Sequence, residues 1–169
     1  WQQVTKGTRI QAGPFEVEFI HVTHSTLESF ALAIRTPQGL IVHSGDFKFD
    51  PTPYQGEASD KKRFQELAQE NPLLLLSDST NSECPGHSKS ESSIHGNLRE
   101  LVEKSEGAVV VALFASNIHR VHQLFDIAKE TGRHVFLSGR SMERYIQVAL
   151  EEGYLPVDLK LLRPLEEID

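Results

Sequence analysis

Cysteine is almost absent from this 169-residue chain. Cys84 is the only one, so no internal disulfide can form, and a reducing, cytoplasmic setting is expected. No apolar run approaches the roughly 18 residues of a membrane span, so no membrane partner is expected. No targeting segment is visible either. Basic residues are in deficit, with 17 Lys and Arg against 24 Asp and Glu and a net charge of -7. That excludes a generally basic nucleic-acid binder. It still allows a cleft where metal ions and a few arginines reverse the local sign. Methionine is nearly missing as well. The sole Met142 lies deep in the chain and residue 1 is Trp1, so the expectation is an interior piece of a longer protein.

What is present is ordinary for a globular protein, 38% hydrophobic and 24% charged. The length suits one domain or two small ones. "FEVEFIHV" (15–22) alternates Phe, Val, Phe against Glu, Glu, the period of a half-buried strand. "FALAIRT" (30–36) and "GLIVHSG" (39–45) read as strands around a Pro-Gly turn. "KKRFQELAQE" (61–70) reads as a helix with Phe64, Leu67 and Ala68 on one face. "PLLLLSDST" (72–80) reads as a strand buried on both sides. A polar stretch, "NSECPGHSKSES" (81–92), then marks a change of pattern. Helices are expected over 91–106, 117–130 and 140–153, alternating with buried strands over 107–116 and 133–139. Such alternation implies parallel pairing. The fold class is α/β.

Chemistry gathers at the strand ends. His24 follows "FIHVT", Asp46 follows "IVHSG", and Asp78 follows "LLLLS". An imidazole beside carboxylates suits a first-row divalent metal, although for His24 alone a structural role is the commoner reading. Further along, Ser116 and Asn117 precede one helix and Arg140 begins the next. Capping explains Ser116 or Asn117. It explains neither Arg120 nor Arg140, whereas one phosphate-rich ligand explains all four. His119 and His122, three apart, read as a solvated face. Cys84 reads as an inert thiol.

Five stretches in series, "FEVEFIHVTHS", "GDFKFDPTP", "SDSTNSECPG", "FASNIHRV" and "LSGRSM", resemble ribonuclease J, of the beta-CASP branch of the metallo-β-lactamase superfamily. The resemblance implies part of a metallo-β-lactamase αββα sandwich over 1–86. A parallel three-layer α/β beta-CASP domain, incomplete, is implied over 87–169. It implies His24 and Asp46 as metal ligands, with Asp46 bridging two divalent ions, zinc or alternatively manganese, and Asp46 and Asp78 as catalytic carboxylates. It implies RNA as partner, bound by Ser116, Asn117, Arg120 and Arg140, and a parent able to form homo-oligomers. The expected function is metal-dependent RNA hydrolysis in RNA processing and decay. The family's first ligand motif, His-x-His-x-Asp-His, is not found in the chain, and neither are its distal histidine motifs. The metal set is therefore expected to be incomplete here and the piece inactive by itself. The alternative is a non-catalytic RNA-binding or scaffold protein of the same fold.

Overall fold

The computed structural model describes residues 1–168. The chain divides into two units. One comprises Trp1–His24 and Glu28–Ser88; the other comprises Ser25–Leu27 and the residues from Lys89 onward.

The first unit is a five-stranded sheet with one helix. Strands β1 (Arg9–Ala12), β2 (Phe15–His21), β3 (Phe30–Thr36), β4 (Gly39–His43) and β5 (Leu74–Leu76) lie in sequence order. The first three pairings are antiparallel and β4–β5 is parallel. Strands β2, β4 and β5 therefore run the same way, and their carboxyl ends share one edge of the sheet. Helix α1 (Lys61–Gln69) supplies the crossover between β4 and β5. Asp60 caps it by accepting from the Arg63 amide, and Leu67 is its buried residue.

Three sequence expectations fail here. The alternation in β2 points the Phe–Val–Phe face inward, yet the buried face carries Glu18, Ile20 and Val22, continued by Ala31, Ala33, Leu40 and Val42. Phe15 remains exposed. Glu18 is tolerated inside because cations surround it. Arg63 of α1 reaches both of its oxygens at 2.6 and 2.9 Å, and Arg35 and Arg9 each approach at 3.1 Å. Ala68, expected on the inner face of α1, is exposed. The run at 73–76 is not buried on both sides either. Strand β5 is the sheet edge, and Leu73 to Leu76 are 45–65% exposed.

The Arg63 hydrogen bonds, foremost, hold the Glu18 carboxyl below its ordinary range, and Glu18 in turn raises Arg63. The sign follows from linkage. A depressed carboxylate contributes stability above its unfolded-state pKa, and that stability is lost as pH falls through the folded value. Glu18→Gln is expected to cost about 2 kcal/mol at neutral pH, the scale of hydrogen bonds to a charged group. The deficit should begin to shrink below about pH 4, the unfolded-state range, and go on shrinking as the folded wild-type carboxyl protonates at lower pH. Urea melts at two pH values measure it.

The second unit contains α2 (Ser92–Lys104), α3 (Ile118–Thr131), β6 (Val135–Phe136), α4 (Arg140–Glu151) and β7 (Leu162–Arg163). Single 3-10 turns occupy Leu159–Leu161 and Leu165–Glu167. Its core joins Ile118, Val121 and Phe125 of α3 to Ile146 and Ala149 of α4 and to Leu155. On α3, Ile118, Val121, Phe125 and Ala128 recur at helical spacing and are buried. The strand expected over 107–116 is not formed. Instead β6 pairs in parallel with β7, and the strand expected over 133–139 shrinks to two residues. An apolar cavity of about 540 Å³ borders Val109, Val111, Phe125, Val135 and Phe136. Val110 and Phe114 are largely exposed. A doubly buried strand needs a layer on each face, and the described residues of this unit supply only one.

Candidate functional site

The carboxyl ends of β2, β4 and β5 carry the three residues that the sequence singled out. Asp46 follows Gly45, whose φ is +60°. A Cβ on Gly45 would meet the Phe30 carbonyl oxygen at 2.7 Å. The chain can turn out of β4 this close to β3 only with glycine at this position. Asp46 itself is exposed.

Asp78 is tied to the same strand end. Its amide donates to the Ser44 hydroxyl at 2.8 Å, and the Ser44 amide donates to the Leu76 carbonyl at 2.9 Å. Its Oδ2 accepts from the Phe47 amide at 3.4 Å. Its Oδ1 accepts from the Thr80 amide at 2.8 Å and the Thr80 hydroxyl at 2.7 Å. The Thr80 hydroxyl, foremost, holds the Asp78 carboxyl below its usual range; the Thr80 amide, the Phe47 amide and the His24 imidazole add to this. Asp78 is thus kept as a carboxylate against the Phe47 amide, next in the chain to Asp46, and within electrostatic reach of the His24 imidazole. Sequence reading missed the parts played by Ser44 and Thr80. The hydroxyls at "HSG" and "SDST" were the available signal.

His24, Asp46 and Asp78 suit a first-row divalent ion by type. Among the described residues, however, no three His, Cys, Asp or Glu side chains converge closely enough to hold one. The donors among the described residues do not complete a metal centre by themselves.

In the second unit, Ile118 in the first turn of α3 and Met142 in the first turn of α4 belong to one apolar cluster. Asn117 caps α3, accepting from the Arg120 amide at 3.1 Å. Arg120 is largely covered, and its Nη2 donates to Glu91 at 2.6 Å. Ser116 is half-buried and Arg140 is exposed. The histidines of α3 are not on a solvated face. His122 has a side chain only 12% exposed and lies 3.7 Å from Asp126. Burial pushes His119 below its ordinary value, against the opposing pull of Glu91. Glu91 was the missed residue here. It pairs with Arg120 through its carboxylate and accepts from fully buried Gln123 through its carbonyl. Cys84 is free and exposed.

Residues 106–169 match the family profile described as ribonuclease J, beta-CASP domain. Three curated proteins named Ribonuclease J are similar over most of the chain. The one from Thermus thermophilus is 40% identical over 168 residues, covering 99% of this chain and 29% of that protein. The one from Helicobacter pylori is 43% identical over 152 residues, covering 90% and 22%. The one from Mycobacterium tuberculosis is 43% identical over 155 residues, covering 92% and 28%. The chain is thus ribonuclease J-like, and it spans a quarter or so of the length of these relatives. A crystal structure of a protein of unknown function from Enterococcus faecalis aligns with a TM-score of 0.63 at 18% identity. It covers 96% of this chain and 41% of that one, a likeness of fold alone.

Proposed function

We propose that this chain supplies part of the active site and part of the RNA-binding surface of a metal-dependent ribonuclease of RNA processing and decay. The observation that carries the reading is the delivery of His24, Asp46 and Asp78 to one sheet edge by three strands that run in the same direction. Divalent metals in such an enzyme activate water and stabilise charge at phosphorus. In this reading His24 and Asp46 are metal ligands, and Asp78 keeps a second carboxylate at that edge. Residues 1–86 belong to a metallo-β-lactamase domain and residues 87–169 to a beta-CASP domain. The remaining metal donors lie in the longer ribonuclease. Zinc is the favoured ion and manganese the alternative. A non-catalytic scaffold remains the competing reading, but it gives no reason for a rigidly held Gly45–Asp46 pair.

Elemental analysis with a cleavage assay tests this. The longer ribonuclease should retain stoichiometric zinc or manganese and cleave RNA in a chelator-sensitive way. The isolated chain should retain neither ion. A longer protein that cleaves equally well after chelation and dialysis contradicts the reading.

The RNA surface comprises Ser116, Asn117, Arg120 and Arg140 at the starts of α3 and α4. Helix N-termini and guanidinium groups both favour phosphate. Arg120 must exchange Glu91 for phosphate to take part. Arg140, already exposed, carries the larger share. In the longer ribonuclease, Arg140→Ala is expected to weaken RNA binding by about 1 kcal/mol and to lower the salt slope by about one charge. Filter binding at two salt concentrations measures both.

A further inference from the structure

Two hydroxyl groups in the first unit stand beside the proposed metal ligands without being ligands themselves. Thr23 immediately precedes His24. Ser59 immediately precedes the cap of α1 and is 7% exposed. The Thr23 amide donates to Ser59 Oγ at 2.8 Å, and the two hydroxyls lie 2.9 Å apart. The Thr23 hydroxyl also donates to the Lys48 carbonyl. In return, the Lys48 amide donates to the Thr23 carbonyl at 2.7 Å. The Asp50 amide closes the cluster, reaching the Lys48 carbonyl at 2.8 Å and Thr23 Oγ1 at 3.4 Å. Asp50 is itself 2% exposed.

Lys48 lies two residues beyond Asp46. The segment bearing Asp46 is therefore fastened, through both peptide groups of Lys48, to the residue next to His24. Strands β2 and β4 are not neighbours, since β3 lies between them. Sheet pairing fixes the His24 end relative to the Asp46 end only through β3. The hydroxyl pair provides a direct link outside the sheet.

We infer that Thr23 and Ser59 are positioning residues that set the relation of His24 to Asp46, with α1 as the support behind Ser59. The functional meaning of this inference rests on the proposed metal-dependent reading; the coupling itself does not. Neither hydroxyl is explained by helix capping, because Asp60 alone caps α1. Hydroxyls, one buried and one half-buried, that satisfy one another and a loop carbonyl give directional restraint, which an apolar pair of the same shape cannot supply.

The test has two arms. The first uses this chain and NMR. Thr23→Val keeps the branched shape and removes the hydroxyl; Ser59→Ala removes the acceptor of the Thr23 amide. Each is expected to shift the amide signals of Phe47 and Lys48 together with the ring signals of His24, and Thr23→Ser should restore the wild-type positions. If the His24 ring signals do not move in either folded variant, the inference is overturned. The second arm titrates zinc into the metal-depleted longer ribonuclease. Thr23→Val and Ser59→Ala are expected to weaken binding about tenfold or more, the scale for groups that orient ligands, with Thr23→Ser close to wild type. Affinity unchanged while melting temperature falls would mean that the cluster only holds the loop, and would overturn the inference. His24→Ala is the control. If it too leaves zinc affinity unchanged, the ribonuclease reading fails, and the NMR arm alone decides the coupling.

Discussion

Gly45→Ala is expected to destabilise the chain by about 3 kcal/mol, the sum of a strained left-handed backbone and a steric clash. The backbone at Gly45 has φ +60°, and a Cβ there would sit 2.7 Å from the Phe30 carbonyl oxygen. That oxygen belongs to the main chain of β3 and cannot swing away as a side chain could. Relief requires β4 to part from β3 at its carboxyl end. The same movement would displace Asp46 and loosen the Phe47 amide from Asp78. Denaturant melts of the isolated chain give the stability. Loss of the protection of the Phe47 amide in hydrogen exchange would localise it. A loss below about 1 kcal/mol, the ordinary cost of a surface substitution or less, would mean that the turn is softer than the geometry indicates.

Asp46→Asn in the longer ribonuclease is expected to remove at least two orders of magnitude of cleavage while leaving RNA affinity within about twofold. Changes to groups that merely orient metal ligands already cost about 10–100-fold, and the proposed ligand itself should cost more. Asparagine is nearly isosteric, and Asp46 is exposed, so the fold should be unaffected. The phosphate-binding residues proposed at α3 and α4 are untouched by the change. Single-turnover cleavage and filter binding on the same preparation separate the two effects. Cleavage near the wild-type rate would remove Asp46 from the catalytic machinery.

The placement of the candidate residues at strand ends was more legible in the sequence than the sheet that carries them. Short apolar runs ending in Ser-Gly-Asp and Ser-Asp announce strands that finish at a polar edge, and His24, Asp46 and Asp78 do occupy such ends. Helix faces were also legible, since Ile118, Val121, Phe125 and Ala128 recur at helical spacing and are buried. What failed was the choice of face in β2. Period two cannot decide which face is covered when one glutamate is neutralised by an arginine 45 residues away. Strand β1 was missed because "RIQA" has too little apolar content to stand out, although the Gly13-Pro14 turn signals a hairpin. The run at 107–116 failed for a different reason. Apolar content reports an appetite for burial, and the described residues of its unit give it no second layer. The hydroxyls of Ser44 and Thr80 stood beside the candidate aspartates in the sequence, but their partners, like those of Thr23 and Ser59, are set by tertiary structure and leave no pattern in spacing.

Strand β5 has a consequence for handling the chain. Its three leucines and the preceding Leu73 form a short, sticky rail along the open side of the sheet, with no lysine among them to guard it. The net charge of -7 keeps copies apart at low ionic strength. Salt shortens the reach of that repulsion and leaves the leucines as adhesive as before. Solubility of the chain is thus expected to decline as salt rises, in step with the RNA affinity proposed for the longer ribonuclease, one through lost repulsion and the other through lost attraction.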